Sequence, residues 1–453
     1  MTGILPAGKL KQLSTSIRSS FWFVPGVMML AFIALALGLV EVDQQVDDTL
    51  RKRWPRMFAA EAEGSRAMLS AIASSMITVA GVVFSITIVA LAQASTQYTS
   101  RVLRNFMRDR ANQVVLGVFV GVYTYCLLVL RTISGGSNGQ FVPSLAVVGG
   151  LVLSIVAIGF LIFFIHHIAS TIQAGEIARS VMRDTLRSID GMFPAELGHE
   201  AREPATPPSQ PPANLTWHPV PATTTGYVQS IDPDALLKFA QQHQVVVRME
   251  VGVGDFAMEQ RPLASVSGGR PPDEKMTCEL NLLYAIDTYR TTDRDPLYGI
   301  RQLVDVSLKA LSPGINDTTT AIICLDHLSV ILQRLANRMI ESPFRSEDSV
   351  LRVIACGPTF QHTIELAFGQ ILENAAGNTS VLARMLRVIE QVAAVTRSPE
   401  RRALLERRVD VIEELGLESA KTTTARETIE RHSAAARYAC RAPAGPQAPI
   451  AGE

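Results

Sequence analysis

The side chains best suited to chemistry lie in the last third of the chain, but they do not form a recognisable catalytic set. Asp305, Ser307, Asp326 and His327 are close in sequence, and such groups can support hydrolysis when a hydroxyl lies beside a base. On one helix, however, Asp305 and Ser307 would face different ways. No nucleophile elbow, phosphate-binding loop or metal-ligand spacing accompanies them. We therefore expect no enzymatic activity, no cofactor and no bound metal.

A short turn with the sequence SPGIND joins two apolar helical patterns. Pro313 and Gly314 suit a type II turn, and either Asn316 or Asp317 can cap the following helix. The exposed N–H groups of that helix's first turn can also hold an anion. The turn is therefore either a structural connection with a helix cap or a ligand-binding helix N-terminus. The residues concerned are Ser312, Gly314, Asn316, Asp317 and Thr318.

A basic face is predicted on a helix-compatible stretch between two apolar segments. Arg101, Arg104 and Arg108 recur there at steps of three and four, so they share one helix face. Cations beside a membrane fix topology and contact lipid. The alternative is a position at a pore mouth, where these arginines would favour anions.

The longest charge-free apolar stretch, residues 68–92, carries small and hydroxyl-bearing residues at steps of four, four, three and four. This spacing places them along one helix face. Small residues allow close packing between helices, so one interpretation is a helix interface. The other is a water-lined pore wall in an oligomer. The stripe consists of Ser70, Ser74, Thr78, Gly81 and Ser85.

Four apolar stretches are long enough to cross about 30 Å of hydrocarbon. Cations in the arm at residues 1–20 and in the second loop place both termini in the cytoplasm, and the protein in the bacterial inner membrane. The first stretch is longer than the apolar part of a typical signal peptide, which favours a retained helix over a cleaved one. The predicted spans are 21–40, 68–92, 114–133 and 142–165, within a membrane domain at 21–192.

Composition agrees with a membrane protein that has a large soluble part. The 453 residues are 47% hydrophobic and carry a net charge of zero, so nothing points to nucleic acid as a partner. The five cysteines are scattered, which is typical of reduced thiols rather than a disulfide framework or zinc site. The spans contain no buried acids or bases, which argues against proton-coupled transport, since that needs titratable groups at depth.

The soluble part is predicted to follow a proline-rich linker at 193–225. A small β-rich subdomain at 226–270 then precedes a helical domain at 271–437 and a disordered tail at 438–453. Asp232 and Pro233 predict a helix start between the first two strands. The predicted strands are Gly226–Ile231, Val245–Val251 and Pro262–Val266, and the predicted helices include Glu279–Arg290, Pro296–Leu311, Asp317–Ile340 and Asp348–Ala355.

Three stretches together resemble the bacterial predicted membrane proteins grouped as domain of unknown function 2254. They are residues 84–110, the segments 226–232 and 251–266, and residues 295–322, which contain ALSPGIND. The resemblance implies a four-helix inner-membrane region with a cytoplasmic domain, and it supplies no activity. Residues 251–266 are also similar to half of a biotinyl-type or lipoyl-type barrel-sandwich. No lysine occupies the expected turn, so we expect a small β-rich adaptor there.

The predicted fold class is thus a membrane α-helical protein with four transmembrane helices, followed by a cytoplasmic α+β domain. The first functional hypothesis is a channel-like homo-oligomer in the lipid bilayer, with the polar-striped second helix and a regulatory cytoplasmic domain. The alternative is a membrane-anchored sensor or scaffold whose cytoplasmic domain binds a ligand or protein partner. Neither hypothesis predicts the identity of the ion or small ligand.

Overall fold

The computed structural model describes residues 22–45, 62–97, 110–136, 139–171, 173–192, 215–292, 294–338, 344–347 and 350–442. The chain divides into two compact units, Met1–Glu176 and Ile177–Glu453. The division falls earlier than the predicted end of the membrane domain at residue 192. Residues 177–192 therefore belong with the second unit.

The described part of the first unit contains four long helices and one small antiparallel hairpin. Each predicted apolar stretch corresponds to one of these helices, and each helix is longer than predicted. The helices are α1 at Phe23–Gln45, α2 at Ala62–Gln97, α3 at Arg110–Thr132 and α4 at Ser144–Thr171, with strands β1 at Ser134–Gly136 and β2 at Gly139–Phe141.

Helix α3 lies at the centre of the first unit, because α1, α2 and α4 all pack against it. Val122 and Tyr125 of α3 are completely buried. Two glycines allow α1 to approach closely: a Cβ at Gly117 would lie 2.7 Å from the Met28 sulfur, and one at Gly121 would overlap the Phe32 ring. The most buried helix of this unit is thus α3 rather than the polar-striped α2.

Five helices in the described residues are long and apolar enough to cross a membrane. Four are α1–α4, and the fifth is α9 at Thr318–Ala336 in the second unit. Helix α9 packs against three other helices of that unit, and its Leu325 and Leu328 are fully buried there. Judged by length and composition alone, the described residues therefore contain five candidate membrane-spanning helices, one more than the predicted four.

The second unit combines short strands with helices, as the α+β prediction requires. One sheet has five strands in the order β3-β7-β5-β10-β9, and another has three in the order β6-β4-β8. The strands are β3 at Trp217–Pro221, β4 at Gly226–Ile231, β5 at Val247–Met249, β6 at Phe256–Ala257, β7 at Pro262–Ser267, β8 at Tyr284–Asp287, β9 at Phe344–Glu347 and β10 at Val350–Ile354.

Two predicted helices are wrong where the chain forms strands instead. The helix predicted at Glu279–Arg290 begins earlier, because the Asp273 carboxylate caps it through the Met276 N–H, and β8 follows. The helix predicted at Asp348–Ala355 is strand β10, which pairs in parallel with β5 about a hundred residues earlier in the chain. Buried Leu351 and Val353 alternate with more exposed neighbours, and this two-residue period is that of a strand.

The β-rich part also extends beyond its predicted limits. Strand β3 lies inside the predicted linker and pairs with β7 in antiparallel register, Val220 opposite Ala264. Strands β9 and β10 come from the predicted helical domain. The sheet is therefore assembled from both sides of the predicted boundary at residue 270.

Nine helices, α9 among them, lie in the described part of the second unit. Asp232 caps the first helix after β4 as predicted, through the Ala235 N–H at 3.0 Å. The core of the helical part is apolar, with Leu303, Phe368 and Leu386 at its centre. Together with α5 at Ala174–Met192 and α9, these helices are α6 at Pro233–Gln242, α7 at Glu274–Leu282, α8 at Pro296–Leu311, α10 at Phe360–Asn374, α11 at Thr379–Val395, α12 at Pro399–Ser419 and α13 at Thr423–Arg441.

Candidate functional site

The predicted small-residue stripe lies on the outer surface of the first unit. All five of its residues on α2 are exposed. The Thr78 hydroxyl donates to the Ser74 carbonyl at 2.8 Å, so it has a partner within its own helix. Within one chain, the five residues Ser70, Ser74, Thr78, Gly81 and Ser85 therefore form an exposed face of small and polar residues.

The face of α2 that packs within the chain is a different one. Its buried residues recur at steps of three and four, which is the spacing of a helix-packing seam. At about 100° per residue, this seam lies roughly 150° around the helix from the stripe. The seam contains Leu69, Ala73, Met76, Ala80, Val83, Thr87 and Ala90.

Polar contacts join the helix ends at one end of this bundle. The Asp43 carboxylate at the end of α1 accepts from the Leu145 and Ala146 N–H groups at 3.1 and 3.0 Å. It thereby caps α4, and Asp43 is buried. The Tyr125 hydroxyl donates to the Ala146 carbonyl at 2.7 Å. These bonds fix α4 against α1 and α3.

The predicted basic face, Arg101, Arg104 and Arg108, lies outside the described residues. Helix α3 begins immediately after it, at Arg110. Its predicted role stays a prediction.

The SPGIND turn is closed by its own backbone. Ile315 and Asn316 donate to the Ser312 carbonyl at 3.0 and 2.9 Å, and Asp317 donates to the Ala310 carbonyl at 2.8 Å. Asn316 adopts a left-handed conformation with φ of 48°. The predicted type II turn is wrong, because such a turn requires positive φ at Gly314 and the chain makes its reversal at Asn316 instead.

The carboxylate of Asp317 caps helix α9, one of the two predicted caps. It accepts from the Thr320 N–H at 3.0 Å and from the Thr320 hydroxyl at 2.5 Å. The Thr320 hydroxyl and then the backbone N–H lower the pKa of Asp317 below its usual range. Thr318 accepts from the Asn378 side chain at 2.8 Å. The first turn of α9 is thus occupied by groups from this chain, while Gly314 and Ile315 are exposed.

An ion pair of the buried Asp295 carboxylate, which the sequence did not reveal, lies against Gly254, so two of the stretches that carry the family resemblance meet here. The Asp295 carboxylate caps α8 and accepts from the Arg290 Nε and Nη2 at 2.9 and 2.6 Å. Gly254 lies against this pair with φ of 89°, where a Cβ would overlap the Asp295 oxygen. Burial raises the pKa of Asp295, and Arg290 offsets part of that effect. The signal in the sequence was the Gly-Asp dipeptide at 254–255 and the Asp-Pro dipeptide at 295–296.

Helix α5, next after α4 in the chain, packs inside the second unit. Thr185 of α5 is fully buried, and a Cβ on Gly299 of α8 would overlap its hydroxyl. Asp190 forms ion pairs with Arg338 and, at 3.5 Å, with Arg334 of α9. The last helix of the predicted membrane domain is therefore part of the core of the second unit.

Each of the side chains considered for catalysis has a structural role instead. Asp305 pairs with Arg301 at 2.9 Å and Asp326 pairs with Arg384. The His327 ring lies 3.3 Å from the Met182 sulfur, and Ser307 is buried. Among the described residues no group of three or more His, Cys, Asp or Glu is arranged to hold a metal ion.

These features define a multi-helix membrane protein with a separate α+β unit. The chain belongs to the family described as Predicted membrane protein (DUF2254), which it matches over residues 18–391. This confirms the resemblance noted in the sequence. The chain is also 32% identical over 364 residues to uncharacterized proteins of Mycobacterium tuberculosis and Mycobacterium bovis, covering 79% of this chain and 69% of each relative. No solved structure matches it.

Proposed function

We propose that this protein is a channel-like homo-oligomer of the bacterial inner membrane, without enzymatic activity, in which α1–α4 span the bilayer and both termini are cytoplasmic. The exposed stripe of α2 is the observation that carries this proposal. A single bundle leaves the stripe on its surface, and a ring of copies would bring several such stripes to a common axis. Water along that axis would solvate the serine hydroxyls, which hydrocarbon cannot do.

The surroundings of α9, the fifth candidate span, support four spans rather than five. That helix carries Asp326, whose charge is paired with Arg384 of α11. Its Leu325 and Leu328 are buried against soluble helices. A helix that already has apolar partners in a soluble core gains nothing further by entering lipid. Four spans place both ends of the chain on one side, as the cation distribution predicts.

Conductance tests the channel proposal. We expect purified protein to conduct ions in planar bilayers, and Ser74→Trp or Thr78→Trp to reduce the unitary conductance several-fold by narrowing the path. Ile86→Trp is the matched control, because Ile86 is 40% exposed on α2 but lies away from the stripe. Silent bilayers, or equal effects of all three substitutions, would contradict the proposal.

A second candidate function is a membrane-anchored sensor or scaffold, and the exposed tip of the SPGIND turn favours it. Ile315 is 45% exposed on a turn that its own hydrogen bonds hold rigid. Photo-crosslinking from position 315 in cells should then give a defined adduct. Val411 is equally exposed, at 45%, and is the matched control position. An adduct pattern identical at both positions would count against a docking role for the turn.

A further inference from the structure

Asn112, in the first turn of α3, is a buried polar residue whose side chain has no hydrogen-bond partner. It is 3% exposed, and within the part of the chain that the structure describes neither its Nδ2 nor its Oδ1 atom is hydrogen-bonded. Burying an amide without a partner destabilises a fold. An unpaired amide in a folded protein therefore indicates contact with an ion or another small polar group.

The side chain of Asn112 projects into the bundle, on the side of α3 that faces α2 and α4. Asn112 and Cys126 are 14 positions apart, so at about 100° per residue their side chains differ by only about 40° in direction. Cys126 faces both helices, because a Cβ on Gly150 of α4 would lie 2.9 Å from Leu69 of α2 and 3.8 Å from the Cys126 sulfur. Asn112 therefore points between α2 and α4.

Helices α2 and α4 extend well past the first residue of α3, to which both run antiparallel. At about 1.5 Å per residue, Asn112 lies about 21 Å along the bundle from the Gly150 contact, level with Val83 of α2 and Phe164 of α4. Beyond this level α2 continues for 14 residues and α4 for seven, whereas α3 begins only two residues away. The N–H end of α3 thus lies between two longer helices, and the negative carbonyl ends of those helices are at least about 10 Å away.

The charges at this end of the bundle favour an anion over a cation. The first turn of a helix carries partial positive charge and attracts anions, and Arg110 begins α3 with a full positive charge. Asp43 and Glu63, in contrast, lie at the opposite end of the bundle, at the end of α1 and the start of α2. The described residues level with or beyond Asn112 contain no Asp or Glu; they are residues 22–27, 90–93, 110–113 and 165–170.

We propose that Asn112 and the first turn of α3 bind a small monovalent anion such as chloride. The Cα–Cβ bonds of a helix tilt towards its N-terminus, so the Asn112 amide reaches back to the N–H groups of the first turn. Its Nδ2 group donates to the anion, and a water bound to the ion can donate to Oδ1. The site lies inside the first unit, on the packed side of α2 rather than at its exposed stripe, so it does not depend on the channel proposal.

Thermal melting of the full-length protein in detergent tests this proposal. Sodium gluconate is replaced by sodium chloride or sodium bromide at constant ionic strength. Both halides should raise the melting temperature, by roughly 3–6 °C once the halide exceeds its dissociation constant tenfold. Asn112→Leu removes the amide and keeps the bulk of the side chain, so the halide affinity should fall at least about tenfold.

Ser65→Ala is the matched control. The Ser65 hydroxyl is also buried and has no partner in the described chain, but it lies at the end of the bundle that carries Asp43 and Glu63. This variant should keep the full halide response. If Asn112→Leu fails to fold, Asn112→Asp keeps the size of the side chain and should abolish the response at neutral pH, because a carboxylate repels an anion.

Four results would overturn the proposal. The first is a melting temperature of the parent protein that does not depend on halide. The second is an unchanged halide affinity in Asn112→Leu or Asn112→Asp, and the third is an equal loss of affinity in Ser65→Ala. The fourth is stabilisation that follows the cation when potassium or lithium gluconate replaces sodium gluconate, since this would make the site a cation site.

Discussion

The fold leaves no room for a side chain at Gly254. Its φ of 89° favours glycine, and a Cβ would overlap the ion pair between buried Asp295 and half-buried Arg290. We expect Gly254→Ala to lower the free energy of unfolding by about 2–4 kcal/mol, because it adds backbone strain and disturbs the ion pair of a buried carboxylate. Thermal melting of the full-length protein in detergent, followed by near-UV circular dichroism, measures this.

Gly269→Ala is the matched control for this substitution. No atom lies within 4 Å of a Cβ built at Gly269, and its backbone is not left-handed. It should change stability by no more than about 0.5 kcal/mol. Equal melting temperatures for the two alanine variants would show that the ion pair tolerates the extra atom.

Asp317 is a residue whose contribution should depend on pH. The bonds from Thr320 lower its pKa in the folded protein, so its charged form stabilises the fold above the unfolded pKa of about 3.9. This stability is lost as the pH falls through the lower, folded value. Asp317→Ala should therefore cost about 1 kcal/mol at neutral pH and progressively less in acid. Melting curves across that range measure the difference.

Thr359→Ala is the control for the pH dependence. The Thr359 hydroxyl caps α10 through the His362 N–H at 3.1 Å, and it does not titrate. Its removal should cost a similar free energy at every pH. A pH-independent loss in Asp317→Ala would mean that the charge of Asp317 contributes nothing to the cap.

At the scale of elements, the packing of α5 on α8 depends on the absence of a side chain at Gly299. A Cβ there would overlap Thr185, so Gly299→Ala should force the two helices apart. We expect overpacking to cost about 1–3 kcal/mol and hydrogen exchange to increase across residues 174–192. Mass-spectrometric hydrogen exchange on the full-length protein measures this directly.

Gly369→Ala provides a control with the opposite expected sign. Gly369 lies within helix α10 with nothing within 4 Å of a built Cβ. Alanine should stabilise that helix by up to about 1 kcal/mol without changing exchange in α5. If Gly299→Ala left α5 as protected as in the parent protein, the close contact would not be what holds this helix.

At the scale of the whole molecule, the native cysteines report on topology. Cys278 and Cys356 are exposed, whereas Cys126, Cys324 and Cys440 are buried. With the second unit in the cytoplasm, a membrane-impermeant maleimide should label neither exposed thiol in intact cells and both after permeabilisation. Burial, followed by the nearby Asp255 and Glu250, raises the pKa of Cys356, so its labelling should accelerate as the pH rises.

A cysteine introduced by Ser137→Cys gives the positive control. Position 137 lies between β1 and β2, in the connection between the third and fourth apolar helices. It should be labelled in intact cells if the termini are cytoplasmic. Labelling of Cys278 in intact cells would place the second unit outside.

Much of the helical architecture could be predicted from local signals. Helix α8 has the bounds predicted for it, because Asp295 and Pro296 mark its start and Ser312 and Pro313 follow its end. Strands β8 and β10 were misread, because short apolar runs carry too few residues to separate a period of two from one of 3.6. Their pairing partners lie in other parts of the chain, and it is this pairing that decides whether such a short run forms a strand or a helix.

The sequence by itself determined the apolar helices, the family, the helix caps and the existence of a polar stripe on α2. These features depend on residues a few positions apart, so local spacing contains them. Only the tertiary structure decided which face of α2 packs, that α5 belongs to the core of the second unit, and that Gly254 meets Asp295. Each of these depends on contacts between distant segments, because a helix with two candidate faces buries the one that its neighbours can match.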